Sequence, residues 1–157
     1  MTQMKKRIMA LFLAVMFSVI GMFAGDISVQ AEELGEDVDI SYILTDDALI
    51  GYAELRNRGI YLSEGFSTIN DAGGGKIGCG GVTNAAVKCQ VSVNSIVERK
   101  VDGSWVRVTS WTNTRTSAYT VSISKYLSVT SGYYYRVRST HHASTDGSSS
   151  WTAALWM

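Results

Sequence analysis

The sequence contains few of the residues from which active sites are usually built. After residue 77 its only acidic residues are Glu98, Asp102 and Asp146. Asp102-Gly103 has the composition of a hairpin turn, and Asp146-Gly147 that of a second turn. Hydrolysis by paired carboxylates needs two acids that face each other across a cleft. A hydrolase is therefore the least expected function, and we expect no enzyme activity.

Histidine and cysteine are equally scarce, with two of each. His141 and His142 are neighbours, so on a strand their side chains point to opposite faces and cannot hold one metal ion together. A nucleophilic cysteine needs a base beside it, and nothing in the sequence places either histidine next to Cys89. The run DAGGGKIGCGG lacks the spacing of a phosphate-binding loop. We therefore predict no catalytic residue, no metal site and no cofactor.

A large charge of one sign is also missing. From Glu32 onward the chain has 11 Lys+Arg and 13 Asp+Glu, a formal charge of about −2, which gives no basis for nucleic-acid binding. The charges are unevenly placed, because residues 32–71 carry ten acids and two arginines whereas residues 72–157 carry nine bases and three acids. An acidic leader therefore precedes a basic body.

The one long apolar run lies at the amino end. Basic residues at 5–7 precede an apolar stretch over 8–24, and a polar exit ends at the small residue Ala31. This layout predicts a secretory signal peptide over residues 1–31, cut before Glu32. A retained membrane anchor is the alternative, since the run approaches the ~18–20 residues that span a bilayer. We expect a secreted, extracellular protein that contacts the membrane only through its signal peptide before cleavage.

Residues 32–58 form the acidic leader or linker. Thr45 is placed to cap one short helix of about ten residues, limited by Gly51 inside it and Gly59 after it. Two interpretations stay open: a flexible linker that packs loosely on the domain, or an acidic pro-segment on the basic body that is removed near Arg56 or Arg58.

Residues 59–157 have the texture of an all-β domain. Short β-branched and aromatic runs alternate with polar ones, and Gly, Ser and Asn separate them. About seven strands in about a hundred residues indicate a β-sandwich. The runs are GIYLSEGFSTI, GKIGCGG, AVKCQVSVNSIVERKV, SWVRVTSWT, AYTVSISKYL, GYYYRVRSTHH and SSWTAALW. The firmest local prediction is a two-residue hairpin turn at Asp102-Gly103.

The pairing state of the two cysteines stays open. Cys89 shares a strand face with Val91 and Val93, which predicts a buried thiol. Export favours a disulfide between Cys79 and Cys89. A simple hairpin between them would set the two directly opposite, whereas a chain that arches between two sheets at VTNAA would join them only at a favourable inter-sheet approach.

The run LSVTSGYYYRV resembles the E strand, corner tyrosine and F strand of fibronectin type III and related immunoglobulin-like domains. In those domains a leucine precedes the corner tyrosine by six residues, as Leu127 precedes Tyr133 here. The resemblance covers about the last sixty residues and implies an immunoglobulin-like sandwich. It carries no information about ligands.

A closer resemblance runs from about Tyr52 to Met157. The stretches GYAELRNRGIYLSEG, GKIGCGGVTNAAVKCQVSVNSIVERK, GSWVRVTSWT, SGYYYRVRSTHHA and the closing ALWM are similar to a family of small exported proteins from Gram-positive gut anaerobes, known only as a domain of unknown function. The resemblance implies secretion, one compact β domain and no assigned activity. Cys89 falls where the family has cysteine, whereas Cys79 departs from its pattern, which puts a family-wide disulfide in doubt.

The stretch SGYYYRVRSTHH supplies the candidate ligand-contact surface. Strand alternation divides its side chains, so that Tyr133, Tyr135 and Val137 are predicted to face the core. Tyr134, Arg136 and Arg138 are predicted to face outward, where ring stacking and bidentate arginine contacts suit carboxylates or sugars. An ordinary solvated β face is the alternative.

The four tryptophans extend this candidate surface. Trp105 and Trp111 are predicted to share a face, and Trp151 and Trp156 to lie on opposite faces of the last strand. At least one is expected in the core, and any exposed remainder is a natural sugar or protein contact. We count Trp111 among the candidate contact residues.

These observations predict a secreted, non-catalytic recognition module, monomeric, with an extracellular protein or glycan as its partner. Its binding is expected to be saturable and salt-sensitive. The alternative is a small secreted effector such as a bacteriocin-like toxin, which size and export alone support.

Overall fold

The computed structural model describes residues 35–55 and 59–157. The predicted signal peptide lies outside the described residues, and so do Arg56 and Arg58. The fold is all-β, as predicted. One turn of 3-10 helix, Ile40–Tyr42, follows the first strand. The strands are β1 (Glu36–Asp37), β2 (Leu49–Tyr52), β3 (Leu62–Gly73), β4 (Lys76–Val101), β5 (Ser104–Ser128), β6 (Tyr134–Ala143), β7 (Asp146–Trp151) and β8 (Leu155–Trp156).

The centre of the fold is the long antiparallel hairpin of β4 and β5. Asp102 and Gly103 close it with positive φ angles of 48° and 81°, which confirms the predicted turn. Each of the two strands unites two of the predicted runs. The leader contributes β1 and β2, and the last run divides into β7 and β8, so eight strands replace the predicted seven.

The hairpin bends near its middle. Register passes from Asn84 opposite Thr120 to Cys89 opposite Ala118, so four residues of β4 face one residue of β5. Such an irregularity increases strand curvature. The chain therefore arches at VTNAA, and no simple hairpin forms between Cys79 and Cys89.

The bend divides the hydrogen-bonded sheet into two facing layers. Layer A comprises 76–84 and 118–128 of the hairpin together with β1, β2 and β3. Layer B comprises 91–101 and 104–115 together with β6, β7 and β8. The layers meet closely, since Thr83 Oγ1 of layer A donates to the Ser92 carbonyl of layer B at 3.0 Å. The predicted β-sandwich is confirmed.

Two apolar clusters fill the space between the layers. The first contains Leu62, Ala85, Val91, Val93, Val121, Ile123 and Ala143. The second contains Ile69, Ile77, Cys79, Val97, Leu127, Tyr135 and Val137. Val91, Val93 and Val97 of β4 are fully buried, as their alternation predicted. Each such side chain contributes about 1.5–3 kcal/mol to folding by leaving water.

The described part of the leader is built into the domain. Ile43 is fully buried, and β2 pairs with β3 from Leu49 opposite Ile69 onward. The helix predicted after Thr45 is therefore wrong, because a strand at 49–52 satisfies the backbone edge of β3. Gly51 permits this position, since a Cβ there would collide with the Trp151 carbonyl.

The tyrosine corner is formed by Tyr135 rather than by Tyr133. Tyr135 is buried, and its hydroxyl donates to the Thr130 carbonyl at 2.7 Å. A bond of this kind, back to the backbone a few residues upstream, defines the corner of immunoglobulin-like domains. The Tyr133 ring lies half-buried under the Arg99 guanidinium, 4.5 Å from its centroid.

Both cysteines are free thiols. Cys79 is buried in the second cluster, whereas Cys89 is half-buried and packs against the first. The disulfide considered from the sequence is not formed. Burial raises the pKa of the Cys79 thiol to about 12, although the charge of Lys125 opposes the rise.

Candidate binding face on layer B

Strand β6 presents one buried and one outward row of side chains, as predicted. Tyr135, Val137 and His141 are almost completely buried. Tyr134 and His142 are exposed, and Arg136 is partly exposed. The outward row forms the middle of the outer face of layer B.

The two arginines of this row are already paired within the protein. Arg136 Nε donates to Glu98 Oε2 at 2.7 Å, and Arg138 Nε lies 3.5 Å from Glu98 Oε1. Glu98 is buried and stands directly opposite Arg136 on β4. Because one carboxylate engages both guanidinium groups, neither arginine is fully open to an acidic ligand. The two arginines therefore stabilise the outer face of layer B, and Glu98 neutralises part of their positive charge.

Trp105 is held against this arginine pair. The Arg136 guanidinium carbon lies 4.3 Å from the Trp105 ring centroid, and Lys100 Nζ lies 6.0 Å from it. Cation–π contacts of this kind fix both the ring and the guanidinium group. Trp105 thus extends the outer face on to β5.

Trp151 and Trp156 complete the face at the other side of β6. Trp156 lies opposite Tyr134, and their rings meet edge-to-face with centroids 4.8 Å apart. Trp151 lies opposite Arg138. The sequence predicted opposite faces for the two tryptophans, and this prediction is wrong. The chain leaves the strand at 152–154, so Trp156 re-enters the sheet on the same outer face as Trp151. They are 50% and 57% exposed.

Trp111 does not belong to this face, contrary to the prediction. It is half-buried and packs against both core clusters. The reason is a β-bulge: Glu98 pairs with Arg107 but Val97 pairs with Thr109, so the register shifts at Val108. The extra residue turns Trp111 inward relative to Trp105. We call the four outward rings, Trp105, Tyr134, Trp151 and Trp156, the aromatic face.

A cleft of about 830 Å³ opens beside Trp151. Thr140, His142 and Ser149 contribute polar side chains to it, and Tyr52 contributes a largely exposed ring. The aromatic face therefore continues into a concave region with hydroxyl groups. Pockets that fix the orientation of a ligand combine apolar surface with a few such polar groups.

Asp146 borders this cleft but has a structural role. Its Oδ2 accepts hydrogen bonds from the backbone N–H groups of Tyr61 and Leu62 at 2.7 and 3.0 Å. These contacts tie the start of β3 to the turn before β7. The carboxylate is thereby committed to the fold. The turn predicted at Asp146-Gly147 is wrong by two residues: it lies at Ser144-Thr145, because Asp146 and Gly147 already pair with Ala143 and His142 in β7.

His141 is a core histidine in a chain of hydroxyl groups. Its Nδ1 lies 2.9 Å from Thr83 Oγ1, and its Nε2 lies 2.8 Å from Ser150 Oγ. Thr83 donates its one hydroxyl proton to the Ser92 carbonyl at 3.0 Å, so its oxygen accepts a hydrogen bond from His141 Nδ1–H. His141 Nε2 is then unprotonated and accepts from the Ser150 hydroxyl. Burial, and to a lesser extent the charge of His142, lowers the pKa of His141 to about 4. Both ring nitrogens are thus used inside the sandwich.

The described residues hold no group of three or more His, Cys, Asp or Glu side chains arranged to bind a metal ion. Within the same residues no helix is long and apolar enough to cross a membrane.

Comparison with known proteins assigns the chain to a family. A family model described as a family of unknown function, DUF6147, matches residues 34–155. The chain belongs to this family. No curated protein matches the sequence. Among solved structures, the solution structure of CsgH from R. palustris is weakly similar, with 16% identity and a TM-score of 0.37 over 53% of this chain and 83% of CsgH.

Proposed function

We propose that this DUF6147 protein is exported and works outside the cell as a non-catalytic module that binds a glycan on its aromatic face. One observation carries the proposal: Trp151 and Trp156 are exposed on the same side of a hydrogen-bonded sheet. An exposed tryptophan leaves a large apolar ring in contact with water, and such exposed surface marks interaction sites. The flat ring with its polar N–H suits the C–H faces and hydroxyl groups of sugars.

The spacing of the rings suits an extended ligand. Trp156 and Trp151 stand opposite Tyr134 and Arg138, which are four residues apart on β6. At about 3.4 Å per residue, the two tryptophans are separated by roughly 14 Å along the strand. A ligand that contacts both must therefore be longer than one sugar ring, which favours an oligosaccharide or polysaccharide.

The cleft supplies polar groups at one end of this path. Thr140 and Ser149 stand opposite each other on β6 and β7, next to Trp151 on the same side of the sheet. Hydroxyl side chains both donate and accept, as sugar hydroxyl groups do. A chain that stacks on Trp151 would reach these groups in the cleft.

The charge of the face favours a neutral glycan. Glu98 already neutralises much of the field of Arg136 and Arg138, through contacts at 2.7 and 3.5 Å. Binding therefore depends on stacking and hydrogen bonds more than on long-range attraction. In place of the salt sensitivity expected from the sequence, we expect affinity to change little with ionic strength.

The proposal is tested with purified protein from Glu32 to Met157. Its affinity is measured for glycan arrays, for wall polysaccharides of Gram-positive bacteria and for mucin glycans, which an exported protein of gut anaerobes would meet. In the double variant Trp151→Ala/Trp156→Ala, we expect affinity for the bound glycan to fall by about tenfold or more, since each stacked ring contributes about 0.5–1.5 kcal/mol.

The matched control is Tyr42→Ala/Tyr119→Ala, which removes two rings that are equally exposed but lie away from the aromatic face. It should bind as the parent protein does. Equal losses in both double variants, or no loss in the tryptophan variant, would contradict the proposal.

A further inference from the structure

The outer backbone edge of β5 is a second feature without an assigned role. β4 covers one side of β5 along its whole length. On the other side, β1 is the only described strand that pairs with it, and it does so only at Tyr126 and Lys125. The edge from Ser104 to Arg115 therefore has no strand partner among residues 35–55 and 59–157. We call this run the free edge.

The covered end of β5 shows what kind of segment the strand accepts. β1 is an acidic strand that lies antiparallel to β5. Asp37 Oδ1 lies 2.7 Å from Lys125 Nζ, and the backbone N–H of Val38 donates to the Ser124 carbonyl at 3.1 Å. A second ion pair joins Glu36 Oε2 to Lys76 Nζ of β4 at 4.0 Å. Backbone pairing and two ion pairs thus hold an acidic, extended segment on this edge.

The free edge has the same chemistry as the covered end. β5 contains no acidic residue, and indeed none occurs between residues 103 and 145. Arg107 and Arg115 are exposed on the free edge, and Arg107 Nη2 donates to the nearby Ser110 hydroxyl at 2.6 Å. Val106 is 48% exposed and Val108 is 36% exposed. Positive charge and exposed β-branched side chains therefore alternate along this run.

A groove joins the covered and free parts of the edge. It has a volume of about 470 Å³ and lies between the two halves of the bent strand, from Asp37 and Val38 to Trp111 and Asn113. The position of β1 is therefore continuous with the free edge rather than separated from it.

We infer that the free edge binds an acidic, extended peptide segment of a partner protein by adding it to layer B as a further strand. Main-chain hydrogen bonds supply affinity in this mode, and side-chain pairing supplies selectivity. Carboxylates of the segment pair with Arg107 and Arg115, and its apolar residues cover Val106 and Val108. The free edge shares only Trp105 with the aromatic face and binds through backbone groups rather than rings, so the inference does not depend on glycan binding.

Edge strands that carry arginines and a bulge are also a known protection against edge-to-edge aggregation. The two explanations differ in one respect. A protective edge rejects every added strand, whereas a docking edge accepts an acidic one and rejects its uncharged counterpart.

The probe is a synthetic peptide with the sequence EELGEDVDIS, which is residues 32–41 of this chain. The comparison peptide is QQLGQNVNIS, with every acid replaced by its amide. Binding to the protein from Glu32 to Met157 is followed at low ionic strength by backbone amide shifts and by hydrogen exchange. We expect saturable binding of the acidic peptide, at least tenfold weaker binding of the amide peptide, and slowed exchange at amides within 104–115.

Variants separate docking from non-specific attraction. Arg107→Glu/Arg115→Glu should weaken binding at least tenfold, whereas Lys88→Glu, an exposed change of the same sign outside the edge, should leave it within about twofold. Circular dichroism checks that each variant is folded, and a salt titration of the parent protein provides a readout that needs no variant. The affinity of the parent protein should fall as salt rises.

Four outcomes would overturn the inference: no binding of the acidic peptide, equal binding of both peptides, slowed exchange confined to 124–128, where the probe would merely replace β1, and dimerisation of the protein through 104–115 without any peptide.

Discussion

Arg136 and Glu98 lie directly opposite each other on neighbouring strands, and Arg136 Nε donates to the Glu98 carboxylate at 2.7 Å. Glu98 is buried and also engages Arg138. The arginines of the stretch SGYYYRVRSTHH are therefore already held by a carboxylate of the protein itself. These arginines brace a face whose exposed surface is aromatic.

Replacement of Glu98 by Gln should reveal both consequences of this pairing. We expect the free energy of unfolding to fall by about 1.5–3 kcal/mol, because the hydrogen bond from Arg136 loses its charged acceptor and the ion pair with Arg138 is lost. The same change should release the two arginines, so the variant should gain salt-sensitive affinity for sulfated glycans. Chemical denaturation and a sulfated-glycan binding assay measure the two effects. Unchanged stability together with unchanged binding would show that the pair has neither role.

His141 should give the protein a defined pH dependence of stability. Its pKa is about 4 in the folded protein, compared with 6.5 for an ordinary histidine. The unfolded chain therefore takes up a proton at this residue at higher pH than the folded chain does. This contribution is fully present above about pH 6.5 and is lost as the pH falls toward 4, by on the order of 3 kcal/mol in total.

The measurement is the free energy of unfolding between pH 4 and 7 for the parent protein, His141→Gln and His142→Gln. The slope should flatten in His141→Gln and persist in His142→Gln, whose side chain is exposed. A slope that is the same in His141→Gln and in the parent would refute the assignment.

The two thiols should differ in reactivity. Cys79 is fully buried and its pKa is raised to about 12, so it should not react with a thiol reagent in the native protein. Titration with the same thiol reagent in denaturant, without any reductant, should detect two thiols per chain. Detection of none would mean that Cys79 and Cys89 are bonded after all.

Tyr135→Phe removes the hydroxyl that closes the tyrosine corner on the Thr130 carbonyl. We expect a loss of about 1 kcal/mol in the free energy of unfolding, since one buried hydrogen bond is removed and a carbonyl is left without it. Tyr133→Phe is the matched control and should have little effect. A loss of stability in Tyr133→Phe with little effect of Tyr135→Phe would show that Tyr133 forms the corner, as the sequence pattern suggested.

Strand alternation predicts much of this structure because it depends only on the period of two. It places Tyr135 and Val137 inward and Tyr134 and Arg136 outward, and the turn at Asp102-Gly103 follows from its need for positive φ. The all-β class follows from the same pattern. These features are local, so the sequence contains the information that determines them.

The errors arise where a bulge or a break interrupts the strand period. The bulge at Val108 turns Trp111 into the core, and the break after Trp151 brings Trp156 on to the outer face. Neither event has a marker such as proline, because each depends on which backbone groups of the neighbouring strand form the hydrogen bonds. The sequence also fails to predict β2, because Gly51 is typical of a position that interrupts a helix. In the structure its missing side chain allows the strand to pass close to the Trp151 backbone.

The central claim is that the outward tryptophans bind the ligand, and the most direct test is to observe the four indole N–H signals separately. The signals of protein labelled with ¹⁵N at tryptophan are followed by NMR as the glycan found in the binding screen is added. The signals of Trp151 and Trp156 should shift in a saturable manner, whereas that of Trp111, whose Nε1 is buried, should stay in place. A shift at Trp111 alone, or no shift at Trp151 and Trp156 under saturating glycan, would contradict the account.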